Sequence, residues 1–163
     1  MSRIAVFAGS FDPFTYGHED VVNNSLLIFD EVIVAVGASS SKSSVFTPDE
    51  RTAMIQDVFK DRPQVRVLAF KGLVVRFAKE QGAMALIRGL RTEADFSYEM
   101  PMAVTNRRLN ADLPTVFFPT STTFAYLSSS LVREVAINGG DVSFFVPSAV
   151  LSRVVAKLGV PKP

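Results

Sequence analysis

Ile4-Ala5-Val6-Phe7-Ala8-Gly9-Ser10-Phe11-Asp12-Pro13-Phe14-Thr15-Tyr16-Gly17-His18 runs from an apolar segment through a turn into the head of a helical pattern. An uninterrupted apolar run of this length suits a strand buried on both faces, hence a parallel one. In an open α/β sheet, ligands bind where such a strand ends. The turn leaves backbone amides free there, and the next helix points its positive end at whatever sits in the crevice. Glycines, a hydroxyl and the chain's single histidine at that place suit an anion, phosphate foremost. Taken alone, Phe-Asp-Pro is also ordinary turn chemistry, and His18 could equally cap or pack the first turn of its helix.

Working outward, the apolar runs at 32–36, 65–70, 84–87 and 116–118 repeat the pattern. Between them lie helical faces: Val21, Val22, Leu26 and Phe29, then Leu73, Val74, Phe77 and Ala78. Thr47-Pro48-Asp49-Glu50 combines an N-cap, a proline at the first helical position and a capping-box glutamate, which predicts a helix over roughly 48–60. Strand and helix therefore alternate, giving βαβ units. The expectation is α/β: a single Rossmann-like domain over 1–163, with a five-stranded parallel sheet flanked by helices. A C-terminal helical part is expected from about 129, with one helix over 129–138, a Gly139-Gly140 break and another starting near Pro147. Val142 to Val146 is too short to assign, and Pro161 and Pro163 mark a tail expected to fray.

Composition narrows the function classes. Lys and Arg number 17 against 16 Asp and Glu, a net charge of +1 that argues against a dedicated nucleic-acid or anionic-membrane surface. With no cysteine, there is neither a disulfide framework nor a thiolate metal site. The first strand begins too soon for a signal peptide, and no apolar stretch approaches the ~18 residues of a spanning helix, so a soluble cytoplasmic protein is expected. Neither a Gly-x-Gly-x-x-Gly fingerprint nor a Walker A sequence occurs, which weakens dinucleotide oxidoreductase and P-loop kinase readings.

Two further segments repeat the opening arrangement. Ile87-Arg88-Gly89-Leu90-Arg91 and Ser128-Ser129-Ser130-Leu131-Val132-Arg133-Glu134 follow apolar segments and bring cations or hydroxyls to the start of a helix. With Gly9 to His18, Lys42 after a serine-rich loop and Phe96-Ser97-Tyr98-Glu99-Met100, they carry a resemblance along nearly the whole chain. The chain resembles the bacterial phosphopantetheine adenylyltransferases, within the nucleotidylyltransferases marked by a Thr/His-x-Gly-His signature.

The resemblance implies transfer of the adenylyl group of ATP to 4'-phosphopantetheine, the penultimate step of coenzyme A synthesis. It implies His18 as the catalytic donor to the α-phosphate, and Ser10 and Phe11 as phosphate contacts. Lys42 and Arg88 would grip the acceptor phosphate, and Val74 would line the pantetheine arm. Gly89, Leu90, Arg91 and Glu99 would meet ATP, with Arg91 on the β- and γ-phosphates. The span Phe124, Ala125, Tyr126, Leu127, Ser128, Ser129 and Ser130 would enclose adenine and pyrophosphate.

Ser10 stands where threonine is usual, Ala125 where a serine is usual, and Arg76 where an acidic residue is common. Mg²⁺ carried on ATP, coenzyme A as a feedback ligand and a homohexamer built as a dimer of trimers are implied as well. The residues alone leave other readings open. Lys42 could be a solvated loop charge, Ser128 a plain N-cap, Val74 a core residue, and Glu99 a helix-surface partner one turn from Asp95, where two carboxylates could repel. Another nucleotidylyltransferase with the same core, or a non-catalytic nucleotide sensor, also fits.

Overall fold

The computed structural model describes residues 2–38 and 44–159. The chain alternates β1 (Ile4–Gly9), α1 (Tyr16–Ser25), β2 (Glu31–Gly37), α2 (Pro48–Val58), β3 (Val65–Phe70), α3 (Val74–Glu80), β4 (Ala85–Leu90), α4 (Glu93–Leu109) and β5 (Thr115–Pro119). A single 3-10 turn, Thr122–Phe124, then leads to α5 (Ser129–Ile137) and α6 (Ser148–Leu158). The five strands form one sheet in the order β3-β2-β1-β4-β5, every pairing parallel. This is the Rossmann-like arrangement expected from the alternation of runs.

Why the runs are unbroken follows from the two cores. Phe7 of β1, Val32 and Val34 of β2 and Ile87 of β4 face a large cluster with α1, α2, α5 and α6. Val6, Ile33, Ala35 and Leu86 face a smaller one with Val75 and Ala78 of α3. Alternate side chains of the central strands thus enter different cores, and neither face tolerates a polar residue. Val132, Ala136, Val150 and Val154 belong to the larger cluster, so the C-terminal helices close over the same sheet.

Two parts go beyond the sequence reading. The helix expected after Arg91 is α4, the longest, 17 residues, with Pro101 inside it, and its extent is not marked by an apolar pattern. Its single buried residue is Glu99, so it lacks the inward stripe that periodicity detects. Residues 142–146, too short a run to assign from sequence, hold a turn at 143–145, with Val142 and Val146 buried against the larger core.

β1 lies at the centre of the sheet: the chain runs outward from it through β2 to β3, then crosses back to lay β4 and β5 on its other side. A crevice opens at the carboxyl ends of strands where the order reverses in this way. It receives Gly9 and Ser10 from β1 and Arg88 to Arg91 from β4.

Candidate active site

The Thr15-Tyr16-Gly17-His18 element is a helix cap. Thr15 is the N-cap of α1, extended in backbone, and its hydroxyl accepts from the His18 N–H at 3.4 Å. In return the Thr15 N–H donates to His18 Nδ1 at 3.1 Å, which completes a capping box with histidine in the place usually held by Glu or Gln. A backbone N–H can only donate, so Nδ1 carries the lone pair and the imidazole proton sits on Nε2. The ring packs against Phe11, Phe14 and Phe7, with centroids 5.0, 5.4 and 6.2 Å away. Desolvation, reinforced by the charges of Arg91 and Arg88, pushes its pKa down from 6.5 to about 3. At neutral pH His18 is therefore an uncharged donor at a helix N-terminus.

Two arginines frame it. From β4, Arg88 gives Nε–H to Glu99 Oε2 at 2.6 Å, Nη2–H to Glu99 Oε1, and Nη1–H to the Ala8 carbonyl at 2.6 Å. Just past β4, Arg91 forks onto both oxygens of Asp95 at 3.0 Å and donates Nη1–H to the Leu127 carbonyl at 2.7 Å. Asp95 and Glu99, one turn apart, do not stand as a repelling pair. Each carboxylate is taken by its own arginine.

These groups line two adjoining clefts. The first, about 260 Å³, is bounded by Ser10, Phe11, His18 and Gly89, by Arg91, and by Leu127, Ser128 and Ser129 at the start of α5. The second, about 360 Å³, is lined by Val74 with Phe70, Tyr98, Met102 and Asn106. Ala8, Gly9, Ser10, Arg88 and Glu99 border both, so the Arg88–Glu99 pair stands at their junction. Sequence reasoning did not reach Phe70, Tyr98 and Met102 of the second cleft, because nothing in their spacing separates a lining residue from a packed one.

The remaining candidates sit elsewhere. Leu90, Phe124, Ala125, Tyr126 and Ser130 do not line either cleft. Phe124 stacks on Tyr16 with centroids 5.9 Å apart, and Tyr126, largely exposed, meets Phe145 edge-on. Ser128 Oγ caps α5 by accepting from the Leu131 N–H at 3.1 Å, while Ser129 Oγ donates to the Pro13 carbonyl at 2.8 Å. Ser130 Oγ accepts from Arg133, which also donates to the Asp12 carbonyl. The triple serine thus ties α5 to the first turn as well as presenting helix amides to the cleft. Lys42 lies outside the described residues.

Two glycines divide the labour of close approach. A Cβ on Gly89 would stand 2.8 Å from Val21 Cγ2, so this glycine is demanded by α1 lying against β4. A Cβ on Gly17 would find only ordinary contacts, Thr15 Oγ1 at 3.5 Å and Phe124 Cβ at 3.8 Å, and the position opens onto the cleft. Packing leaves Gly17 free to vary, whereas a ligand close to the α1 amides would not.

Comparison with known proteins meets this geometry from outside. A family model described as cytidylyltransferase-like matches residues 6–135, from β1 into α5. The chain is 49% identical over 155 residues to the phosphopantetheine adenylyltransferase of Lachnoclostridium phytofermentans, covering 95% of each chain. It is 50% identical over 156 residues to that of Heliobacterium modesticaldum, covering 96% of this chain and 93% of the other. In fold it is similar to a crystal structure from Vibrio parahaemolyticus described as a nicotinate-nucleotide adenylyltransferase. The TM-score is 0.68 at 20% identity, over 98% of this chain and 95% of that one. Close to half of all residues shared with the bacterial enzymes, end to end, reaches well past the fold they have in common with other nucleotidylyltransferases: the chain belongs to the phosphopantetheine adenylyltransferase family.

Proposed function

We propose that this chain, acting as a single domain, transfers the adenylyl group of ATP to 4'-phosphopantetheine and releases pyrophosphate and dephospho-coenzyme A. The observation that carries the reading is the junction of the two clefts. A pocket of phosphate donors and a larger, more apolar one meet at Ser10 and Arg88, where an acceptor phosphate and an α-phosphate would lie side by side.

The reaction asks for no protein nucleophile. An oxygen of the acceptor phosphate attacks the α-phosphorus of ATP in line, the bond from that phosphorus to the α–β bridging oxygen breaks, and pyrophosphate leaves with the bonding electrons. Catalysis is then positioning and stabilisation of charge on the non-bridging oxygens. His18 Nε2–H serves as the donor to the α-phosphate. Because the imidazole is neutral, it stabilises by hydrogen bonding at a helix N-terminus and transfers no proton. Arg88, with Lys42, holds the acceptor phosphate. Arg91 and the amides opening α5 hold the departing β- and γ-phosphates. Val74 and Asn106 line the arm of the acceptor.

Mg²⁺ supplies charge neutralisation on the ATP phosphates and travels with them. Asp95 and Glu99, the carboxylates bordering the first cleft, are both engaged by arginines, so the described lining offers no ligand set of its own. Association into a homohexamer, a dimer of trimers, belongs to the same reading and is supported by the exposed Tyr98, Met102, Val104 and Leu109 on α4. So do feedback by coenzyme A in the two clefts and a cytoplasmic location. Among the described residues no helix is long and apolar enough to cross a membrane.

The test is incubation of the purified protein with ATP, Mg²⁺ and 4'-phosphopantetheine, with nicotinate mononucleotide as a competing acceptor. Mass spectrometry should find dephospho-coenzyme A with stoichiometric pyrophosphate. Adenylylation of the nucleotide alone would move the acceptor assignment.

A further inference from the structure

Arg51, in α2, is the bulkiest side chain that the fold buries completely, at 0% exposure. Removing a guanidinium from water is costly unless it is paired, yet no carboxylate among the described residues lies within ion-pair distance of it, and the buried Asp12 offsets the cost only from further away. Its Nη2 is buried with no hydrogen-bond partner among the described residues. The two donors in use go to backbone carbonyls, Nε–H to Phe46 at 3.1 Å and Nη1–H to Ser10. Stability does not explain such a residue, since an apolar side chain of similar volume often replaces a buried ionic group without loss.

The Ser10 carbonyl explains it. A trans peptide is planar, so its C=O and the N–H of the following residue point in opposite directions. With the Ser10 oxygen drawn inward to Arg51, the Phe11 N–H is turned outward. Ser10 and Phe11 line the first cleft, and the Phe11 N–H makes no hydrogen bond among the described residues. Phe11 has φ +52°, a left-handed conformation uncommon for a residue other than glycine, so the turn does not hold this setting by its own preference. Asp12 secures the far side of the turn. Its two carboxylate oxygens accept from the Val45 and Phe46 N–H groups at 2.9 and 2.8 Å, directly beside the carbonyl that Arg51 also grips. The helix behind Arg51 is itself fixed, by the Thr47–Glu50 capping box and by Lys157 of α6 on Glu50.

We infer that Arg51 is a positioning residue, which sets the Ser10–Phe11 peptide so that the Phe11 N–H faces the cleft as a fixed donor to a nucleotide phosphate. The inference rests on the reading of that cleft as the ATP phosphate site. Arg51 touches no substrate. It acts through one peptide plane, as a brace behind a wall.

The experiment compares Arg51→Met and Arg51→Lys with the unsubstituted protein. It reads kcat and KM for both substrates, ATP affinity by calorimetry, thermal unfolding, and the ¹⁵N–¹H resonance of Phe11 on addition of a non-hydrolysable ATP analogue. Loss of one preorganised donor predicts that folded Arg51→Met loses about 10²–10³-fold in kcat, with KM for 4'-phosphopantetheine within about three-fold. Arg51→Lys, which keeps a charged donor, should recover about ten-fold of that loss. The Phe11 resonance should move downfield with the analogue in the unsubstituted protein. It should not move in Arg51→Met.

A kcat for Arg51→Met within about three-fold of the unsubstituted value would overturn the inference alone. So would two variants impaired equally and only in step with lost thermal stability. If Arg51→Met does not fold, the unsubstituted protein decides: an unmoved Phe11 resonance in the ATP complex overturns the role, and a downfield shift supports it. Absence of ATP binding by the unsubstituted protein would overturn the reading of the cleft, and this inference with it.

Discussion

Glu99 reaches from α4 to grip Arg88 by both oxygens, while a third donor of the same guanidinium holds the carbonyl of Ala8 at the end of β1. Three of the five N–H groups are thereby committed, and the plane of the fork is fixed between two strands and a helix. The carboxylate is thus better placed to aim Arg88 than to meet a nucleotide. Glu99→Gln should raise KM for 4'-phosphopantetheine about ten-fold, the scale of one weakened charge-assisted bond, and leave ATP affinity within about two-fold. Steady-state kinetics with calorimetry on ATP checks this. A loss confined to ATP would put Glu99 on the nucleotide.

The single histidine gives a clean spectroscopic handle on its own titration. Its proton NMR signals should show a midpoint well below 5, because burial and two arginine charges hold the pKa at about 3 against an ordinary 6.5. The sign of the linked stability follows. Between those values the unfolded chain binds a proton that the folded chain refuses, so stability falls as pH drops from about 6.5 toward 3. For this one group the slope is at most about 1.4 kcal/mol per pH unit. A midpoint near 6.5 would contradict the desolvated, neutral imidazole.

His18→Gln separates the structural half of the histidine from the chemical half. Glutamine at the third helical position can complete a capping box through Oε1, yet its amide N–H is a donor on a flexible chain and not on a ring fixed by three phenyl groups. The melting temperature should stay within about 3 °C, the shift expected for a change below about 1 kcal/mol, and kcat should fall about 10²–10³-fold. Thermal unfolding beside single-turnover kinetics reads both. Retained turnover would remove His18 from the chemistry.

Alanine at the two cleft glycines should give opposite results. Gly89→Ala drives a methyl into Val21 at 2.8 Å and should cost about 1–3 kcal/mol in urea unfolding, with activity falling because α1 must shift. Gly17→Ala meets no obstruction in the protein and gains helix propensity, so stability should hold or rise by up to about 1 kcal/mol. Its ATP affinity should drop as the methyl enters the cleft. Undiminished ATP binding by Gly17→Ala would mean that no phosphate approaches those amides.

How far the sequence was legible depended on whether a residue's neighbours in space are also its neighbours in pattern. Val32 to Val36 declares a central strand because both faces of the sheet are covered, and Thr47 with Glu50 declares a helix start by composition. The spacing of Thr15 and His18 is that of the same box, hidden because histidine is unusual in its second place. Helix α4 has no apolar stripe to find, since what it turns inward is Glu99 and what it turns outward includes Tyr98 and Met102. Arg51 is an unremarked cation within a helix until the fold brings Ser10, 41 positions earlier, against it. The resemblance puts Phe124 and Tyr126 around adenine, and only the fold adds that their rings meet those of Tyr16 and Phe145.

The box joining Thr15 to His18 also settles when the imidazole loses its freedom. A surface histidine recruited by a phosphate would give up rotamer entropy on binding, a fraction of the 0–2 kcal/mol range typical of side chains. Here the ring is immobilised as the helix forms, by a bond to its own N-cap and by three phenyl rings. Nucleotide therefore arrives at a donor whose disorder was removed during folding. The affinity and the rate it confers need not be reduced by ordering it again in each catalytic cycle.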